Sequence, residues 1–109
     1  MGIVTYRQAL HDTLIEEMRR DPNVVLMGEE IGKFEGSYKI TAGLLKEFGP
    51  ERVMDTPLSE LLISGLCVGM AAQGLKPVGE IQFMGFIYPC IDQVVNHASR
   101  LRNRRANDR

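Results

Sequence analysis

Apolar residues near the start of the chain recur at helical spacing. Tyr6, Ala9, Leu10, Leu14 and Met18 share one face, and Asp21-Pro22 stops the run. The spacing predicts an amphipathic helix over 6–20. Thr5 and Gln8, three residues apart, have the form of a capping box at its start. The pattern then changes. Val24-Val25-Leu26-Met27 is an unbroken apolar run ending at Gly28, as a short buried strand requires. Residues 28–38, GEEIGKFEGSY, carry three glycines and read as a loop. Residues 42–48 predict a short helix closed by Gly49-Pro50, and 52–54 a second short strand. Thr56-Pro57-Leu58 is a turn leading to Ser59, a good N-cap. A helix is expected over 60–73, with Gly74 as its cap. Residues 77–81 predict a third strand, and roughly 86–102 a last helix.

Helices alternating with short apolar strands imply parallel strands joined by crossovers. The expected fold class is α/β, an open and mainly parallel sheet flanked by helices. The 60–73 helix is unusual. Residues 61–75 carry no charge, so the helix is apolar all round and should be buried on most sides. One small layer rarely achieves that, which points to a partner domain or subunit over its outer face.

Length and charge narrow the classes. With 109 residues there is room for one small domain, and 44% hydrophobic with 25% charged residues suffices for a core. The net charge of −1 conceals an asymmetry: residues 100–109 hold five arginines and one aspartate, and the rest of the chain is acidic. An acidic body is not that of a nucleic-acid binder. No uncharged run reaches the roughly 20 apolar residues of a membrane helix. No targeting segment is visible at the start, so a cytoplasmic location is expected. Cys67 and Cys90 show neither a CxxC pattern nor a histidine at metal spacing, and read as two buried thiols. No metal ligand set is assigned. His11 and His97 are given no role, His11 being expected at the surface.

In open parallel sheets, ligands bind beyond the carboxyl ends of the strands. Glu29 and Glu30, the stretch 55–60, and the stretch 82–86 all fall there in the expected topology. Together they offer carboxylates, an amide and aromatic rings, a set suited to a planar polar heterocycle. Each has a plainer reading. Glu60 in a first helical turn is a common partner for the helix dipole; alternatively it is a desolvated carboxyl able to share a proton with a ring. Glu29 and Glu30 divide in the same way. Gln82 is a loop amide or a site amide. Phe83, Phe86 and Tyr88 are core or site aromatics. Gly65 and Gly69 reflect close packing within the domain or an approaching helix from outside.

The segment from Glu60 to Gly65-Leu66-Cys67-Val68-Gly69 resembles the glutamate-x4-glycine-apolar-x-x-glycine signature of thiamine-diphosphate enzymes. The surrounding VVLMGEEIG, GLLKEFGPERVMDTPLSE, GLKPVGEIQF and DQVVNHASRLR resemble beta subunits of the thiamine-dependent component of 2-oxo acid dehydrogenase complexes. EIQF, followed by Pro89 and Asp92-Gln93, leans toward the branched-chain type over the pyruvate type.

The resemblance implies the N-terminal part of a transketolase-like pyrimidine-binding domain over 1–104, with 105–109 a divergent tail. It implies thiamine diphosphate as cofactor. In that family the glutamate matching Glu60 hydrogen-bonds a ring nitrogen of the aminopyrimidine and so promotes proton removal from the thiazolium. The 2-oxo acid is then decarboxylated and its acyl unit passes to a lipoyl arm. Residues matching Glu29, Leu58, Ser59, Gln82 and Phe86 are expected on the pyrimidine side, with Phe83 and Tyr88 near substrate. The implied partners are an alpha subunit, in an α2β2 heterotetramer, and a lipoyl-bearing acyltransferase. No diphosphate-and-magnesium segment is present, as expected where the alpha subunit holds the metal. A eukaryotic mature chain would sit in the mitochondrial matrix. Two other readings remain at this stage: a non-catalytic assembly module that pairs with an alpha subunit, and a relative of transketolase or deoxyxylulose-phosphate synthase.

Overall fold

A computed structural model of the chain describes residues 2–104. Helix α1 (Tyr6–Arg20) leads into strand β1 (Val24–Gly28), and α2 (Leu44–Phe48) into β2 (Val53–Asp55). Helix α3 (Glu60–Ala72) then precedes β3 (Lys76–Gly79). The three strands form one parallel sheet in the order β2-β1-β3. The expected α/β class is therefore observed.

β1 is central and every residue in it is buried, which is why it reads as an unbroken apolar run. Alternate residues face opposite layers. Leu26, with Val24, packs against Met18, Ile31, Leu44 and Val53 on the α1 and α2 side. Val25 and Met27 meet Ile63 of α3 on the other side. Arg52 closes the first layer. Its guanidinium donates to the carbonyls of Met18, Asp21 and Val24 at 2.7, 3.0 and 2.9 Å, and lies 4.8 Å from the centroid of Phe48. It thus supplies donors to the last turn and cap of α1 and to the first residue of β1.

Several boundaries differ from expectation. The capping box at α1 is half formed: Thr5 Oγ1 accepts from the Gln8 N–H at 3.1 Å, but the Gln8 side chain donates to Asp12 at 2.7 Å instead of turning back. α2 begins at Leu44, because Gly43 before it takes a left-handed conformation (φ 79°). Gln73 takes the cap of α3, and Gly74 (φ 99°) turns the chain. β3 ends at Gly79, two residues before the expected limit. His11, expected at the surface, is partly buried and hydrogen-bonds the carbonyl of Ala42 at 2.8 Å.

The largest correction concerns the last helix. Residues 86–102 do not form one α-helix. Two 3₁₀ turns (Met84–Phe86 and Tyr88–Cys90) precede a π-helical segment (Asp92–Ala98) and a short α4 (Leu101–Arg104). Pro89 has no N–H for a continuous α ladder and disfavours helical geometry at Tyr88 before it. The π segment shows its wider pitch where Ser99 N–H donates to the Val94 carbonyl at 3.0 Å. The segment 105–109, read as a tail, lies outside the described residues.

Within the described residues α3 is covered on one side only, as expected where a single small layer cannot bury an apolar helix. Ile63 alone is fully buried, and Leu61, Leu62 and Leu66 are exposed. A shallow concavity of about 670 Å³ runs along this side, lined by Leu61, Leu62, Gly65, Leu66, Gly69 and Met70 among others. No helix among the described residues is long and apolar enough to cross a membrane.

Candidate functional site

The carboxyl ends of the three strands lie side by side. Beyond them the ladder runs on: the Thr56 N–H donates to Gly28 O and the Glu80 N–H to Met27 O, both at 2.9 Å. Glu29, Thr56 and Glu80 are therefore the first residues past β1, β2 and β3. Each carries a buried side-chain oxygen without a hydrogen-bond partner among the described residues: Glu29 Oε1, Thr56 Oγ1 and Glu80 Oε2. An unsatisfied buried oxygen is costly, so three at one sheet edge mark a place that needs donors.

Glu29 is 5% exposed and continues the Val25, Met27 alternation toward α3. Glu60 opens α3 there, half-buried, beneath the Ser59 cap whose Oγ accepts from the Leu62 N–H at 3.2 Å. Burial pushes the Glu29 carboxyl above its ordinary value. The Glu60 carboxyl raises it further, by hydrogen bonding and by charge, against a lowering contribution from the Ser59 backbone. The two carboxyls are thus neighbours, and the second one favours the neutral form of the buried Glu29. Glu60 occupies the first turn of α3 and also adjoins Glu29. Glu30 is exposed, with φ 56°, and contributes to the site only a weak charge effect on Glu29.

The loop carrying Glu29 is anchored from β2. Asp55 accepts from the Gly32 and Lys33 N–H groups at 2.7 and 3.3 Å. A Cβ on Gly32 would stand 2.7 Å from Asp55 Oδ2, so glycine is needed for this close approach. Opposite, a Cβ on Gly28 would lie 3.0 Å from Glu80 Cβ. Gln82, past β3, donates from Nε2 to Ser37 Oγ at 2.9 Å and so ties that segment to the same loop.

The remaining sequence candidates are more scattered. Phe83 and Phe86 stack edge to face with centroids 5.7 Å apart, but both are half-exposed. Tyr88 and Leu58 are largely exposed, at 75% and 83%. None of the three aromatics is in the core. The structure groups Glu29, Ser59 and Glu60; it links Gln82 to the loop; it leaves Leu58, Phe83, Phe86 and Tyr88 open to solvent. Cys67 and Cys90 are free thiols, Cys90 buried and donating to the Glu60 carbonyl at 3.3 Å. Burial raises the Cys67 thiol above its ordinary value, which suits a packing role. Thr56 and Glu80 were not singled out from sequence. Each is the first residue after a strand end only with the observed bounds, Asp55 and Gly79, which the sequence pattern does not give.

Comparison with known proteins places the chain in a family. The family model described as "Transketolase, pyrimidine binding domain" matches residues 3–107. The chain belongs to that family. Within it, the chain is similar to the 2-oxoisovalerate dehydrogenase subunit beta of Bacillus subtilis (strain 168), at 44% identity over 99% of this chain and 33% of the relative. It is 50% identical to the mitochondrial pyruvate dehydrogenase E1 component subunit beta-2 of Oryza sativa subsp. japonica, over 89% of this chain and 26% of the relative. It is 46% identical to the pyruvate dehydrogenase E1 component subunit beta of Acholeplasma laidlawii, over 95% and 32%. The chain spans about a third or less of the length of these relatives. The pyrimidine-binding domain family accounts for the parallel sheet flanked by helices.

Proposed function

We propose that this chain is the N-terminal part of the pyrimidine-binding domain of a beta subunit, serving a thiamine-diphosphate-dependent 2-oxo acid dehydrogenase. The observation that carries the reading is the Glu29–Glu60 pair: a buried carboxyl held toward its protonated form beside a second carboxyl at a helix start. Its relatives are dehydrogenase beta subunits of both the 2-oxoisovalerate and the pyruvate type.

The residues fit an aminopyrimidine. Glu29 Oε1 and Thr56 Oγ1 are buried acceptors without donors, and a ring carrying an amino group supplies donors. Glu60 is the acid–base residue, exchanging a proton with a ring nitrogen. Glu29 sets the charge around it and, being desolvated, keeps the shared proton inside the site. Ser59 fixes the start of α3 and so the position of Glu60. Gln82 orients the ring from the β3 side; Leu58 and Phe86 close over it, and Phe83 and Tyr88 reach the substrate once other chains cover them. Thiamine diphosphate, when bound, supplies the nucleophilic carbon at which a 2-oxo acid loses CO2. The diphosphate and its magnesium belong to an alpha subunit, the assembly is an α2β2 heterotetramer, and the acyl unit passes to a lipoyl-bearing acyltransferase. The setting is the cytoplasm of a bacterium or the mitochondrial matrix.

The test is co-expression of the chain with its alpha subunit, followed by thiamine diphosphate binding and turnover of branched-chain oxo acids against pyruvate. In the assembled enzyme Glu60→Gln is expected to abolish turnover and leave the fold intact. Unchanged turnover would remove Glu60 from the chemistry. A second reading, a non-catalytic module that pairs with an alpha subunit, draws on the uncovered apolar side of α3. It predicts stable pairing without cofactor binding.

A further inference from the structure

Ser37 has no role in the site so far. It sits in the loop after β1, and its hydroxyl oxygen accepts from Gln82 Nε2 at 2.9 Å. The loop that presents it is braced. Asp55 holds Gly32 and Lys33 from below. Thr41 Oγ1 donates to the Ile31 carbonyl at 2.6 Å, and the Gly36 N–H donates to the Glu30 carbonyl at 3.0 Å. Gly36, just before Ser37, is buried with φ 83°, a conformation that places the next residue at the tip of a tight turn. Ser37 is therefore delivered to Gln82 by fixed backbone.

A primary amide has two faces, one a donor and one an acceptor, and rotation by half a turn exchanges them. An amide that must present one face to a ligand gains from a neighbour that occupies the other. We propose that Ser37 is a positioning residue for Gln82: its hydroxyl takes an amide proton, so that Oε1 is offered as acceptor to an amino group on a heteroaromatic ligand. The proposal rests on the reading of Gln82 as part of the pyrimidine site. Ser37 itself touches neither ligand nor reacting atoms.

The experiment compares the wild-type chain with Ser37→Ala and Ser37→Thr, each assembled with the alpha subunit. Two quantities are measured: the dissociation constant for thiamine diphosphate with magnesium, and the midpoint of thermal unfolding without cofactor. Ser37→Ala is expected to weaken cofactor binding roughly three- to tenfold, the range of one hydrogen bond, and to leave the cofactor-free midpoint unchanged. Ser37→Thr, which keeps the hydroxyl on an exposed position, restores affinity. Equal affinity in wild type and Ser37→Ala overturns the proposal and leaves the site reading standing. An affinity loss matched by a fall in the cofactor-free midpoint, or one that Ser37→Thr fails to recover, also overturns it, because the residue then only braces the loop. Absence of cofactor binding by the wild-type assembly overturns the site reading, and the proposal with it.

Discussion

The carboxyl of Glu60 bears directly on that of Glu29, although one opens α3 and the other follows β1. The contact makes a prediction that needs no cofactor. Replacing Glu60 by Gln removes the neighbouring carboxyl and introduces an amide donor. The Glu29 carboxyl should then titrate closer to its ordinary value of 4.5. Carboxyl-detected NMR titration of Glu60→Gln against wild type reads this, and an unmoved Glu29 would show that burial alone sets its pKa.

Burial gives a second prediction, on stability against pH. A carboxyl whose folded pKa lies above its unfolded value stabilises the fold fully below the unfolded value. That contribution is lost as pH rises through the folded one. Glu29 and Glu80 are both raised, chiefly by burial. Stability should therefore fall as pH rises from the ordinary carboxylate range toward neutrality. Glu29→Gln and Glu80→Gln should each flatten that fall, and match wild type near pH 4. Asp21 and Glu47 act in the opposite sense. Lys76 and Arg19 hold them low, so their contribution is lost only as the medium becomes more acidic. Both are solvent-exposed pairs and weakly stabilising. Urea melts across pH 4–8 test the slope, and a rise in stability toward neutrality would contradict it.

Arg52 tests the first core layer. It donates to the carbonyls of Met18 and Asp21 at the end of α1 and of Val24 at the start of β1, and stacks on Phe48. Arg52→Ala leaves those carbonyls short of donors, and a loss of about 2–3 kcal/mol is expected. Arg52→Lys should recover only part of it, since one ammonium cannot reproduce the planar fork. Denaturant midpoints at constant slope decide the point.

How much of this was legible depends on the kind of signal. β1 and α3 were readable because burial on both faces of one, and the cap and terminal glycine of the other, are local features. The broken last helix was not. Its apolar spacing continues through Pro89, and neither the break there nor the π segment beyond it shows in that spacing. Glu60 stood out as a lone acid before an uncharged run. Its pairing with Glu29 depends on β1 lying beneath the start of α3, a tertiary fact. Glu80 was hidden by a boundary: a strand reaching 81 places it inside the sheet, whereas one ending at Gly79 places it at the ligand edge. The aromatics divide the other way. Phe83, Phe86 and Tyr88 are of core-like type yet lie open to solvent among the described residues.

The loop anchor predicts a coupling. A Cβ at residue 32 collides with the Asp55 carboxylate, so Gly32→Ala should cost roughly 1–3 kcal/mol and loosen the loop. On an Asp55→Ala background the collision is gone, and the same change should cost much less. The difference between backgrounds is the coupling energy. Additive effects in the double-mutant cycle would mean that residue 32 is intolerant for another reason.

The glycines of α3 give the sharpest contrast between the chain alone and the chain assembled. Among the described residues nothing lies within 4 Å of a Cβ placed on Gly69, and Gln93 at an ordinary 3.7 Å is the nearest neighbour for one on Gly65. Among those residues neither glycine is required by packing. Each lowers helix stability by about 0.5–1 kcal/mol relative to alanine. Gly69→Ala should therefore stabilise the isolated chain by about that amount. If the exposed α3 side receives another subunit closely, the added methyl groups should weaken assembly, and Gly65→Ala with Gly69→Ala more than either. Thermal unfolding of the isolated chain and sedimentation of the complex with the alpha subunit measure the two effects separately. Opposite signs support a helix shaped for contact outside the chain. Gain in both would show that these glycines serve neither packing nor assembly.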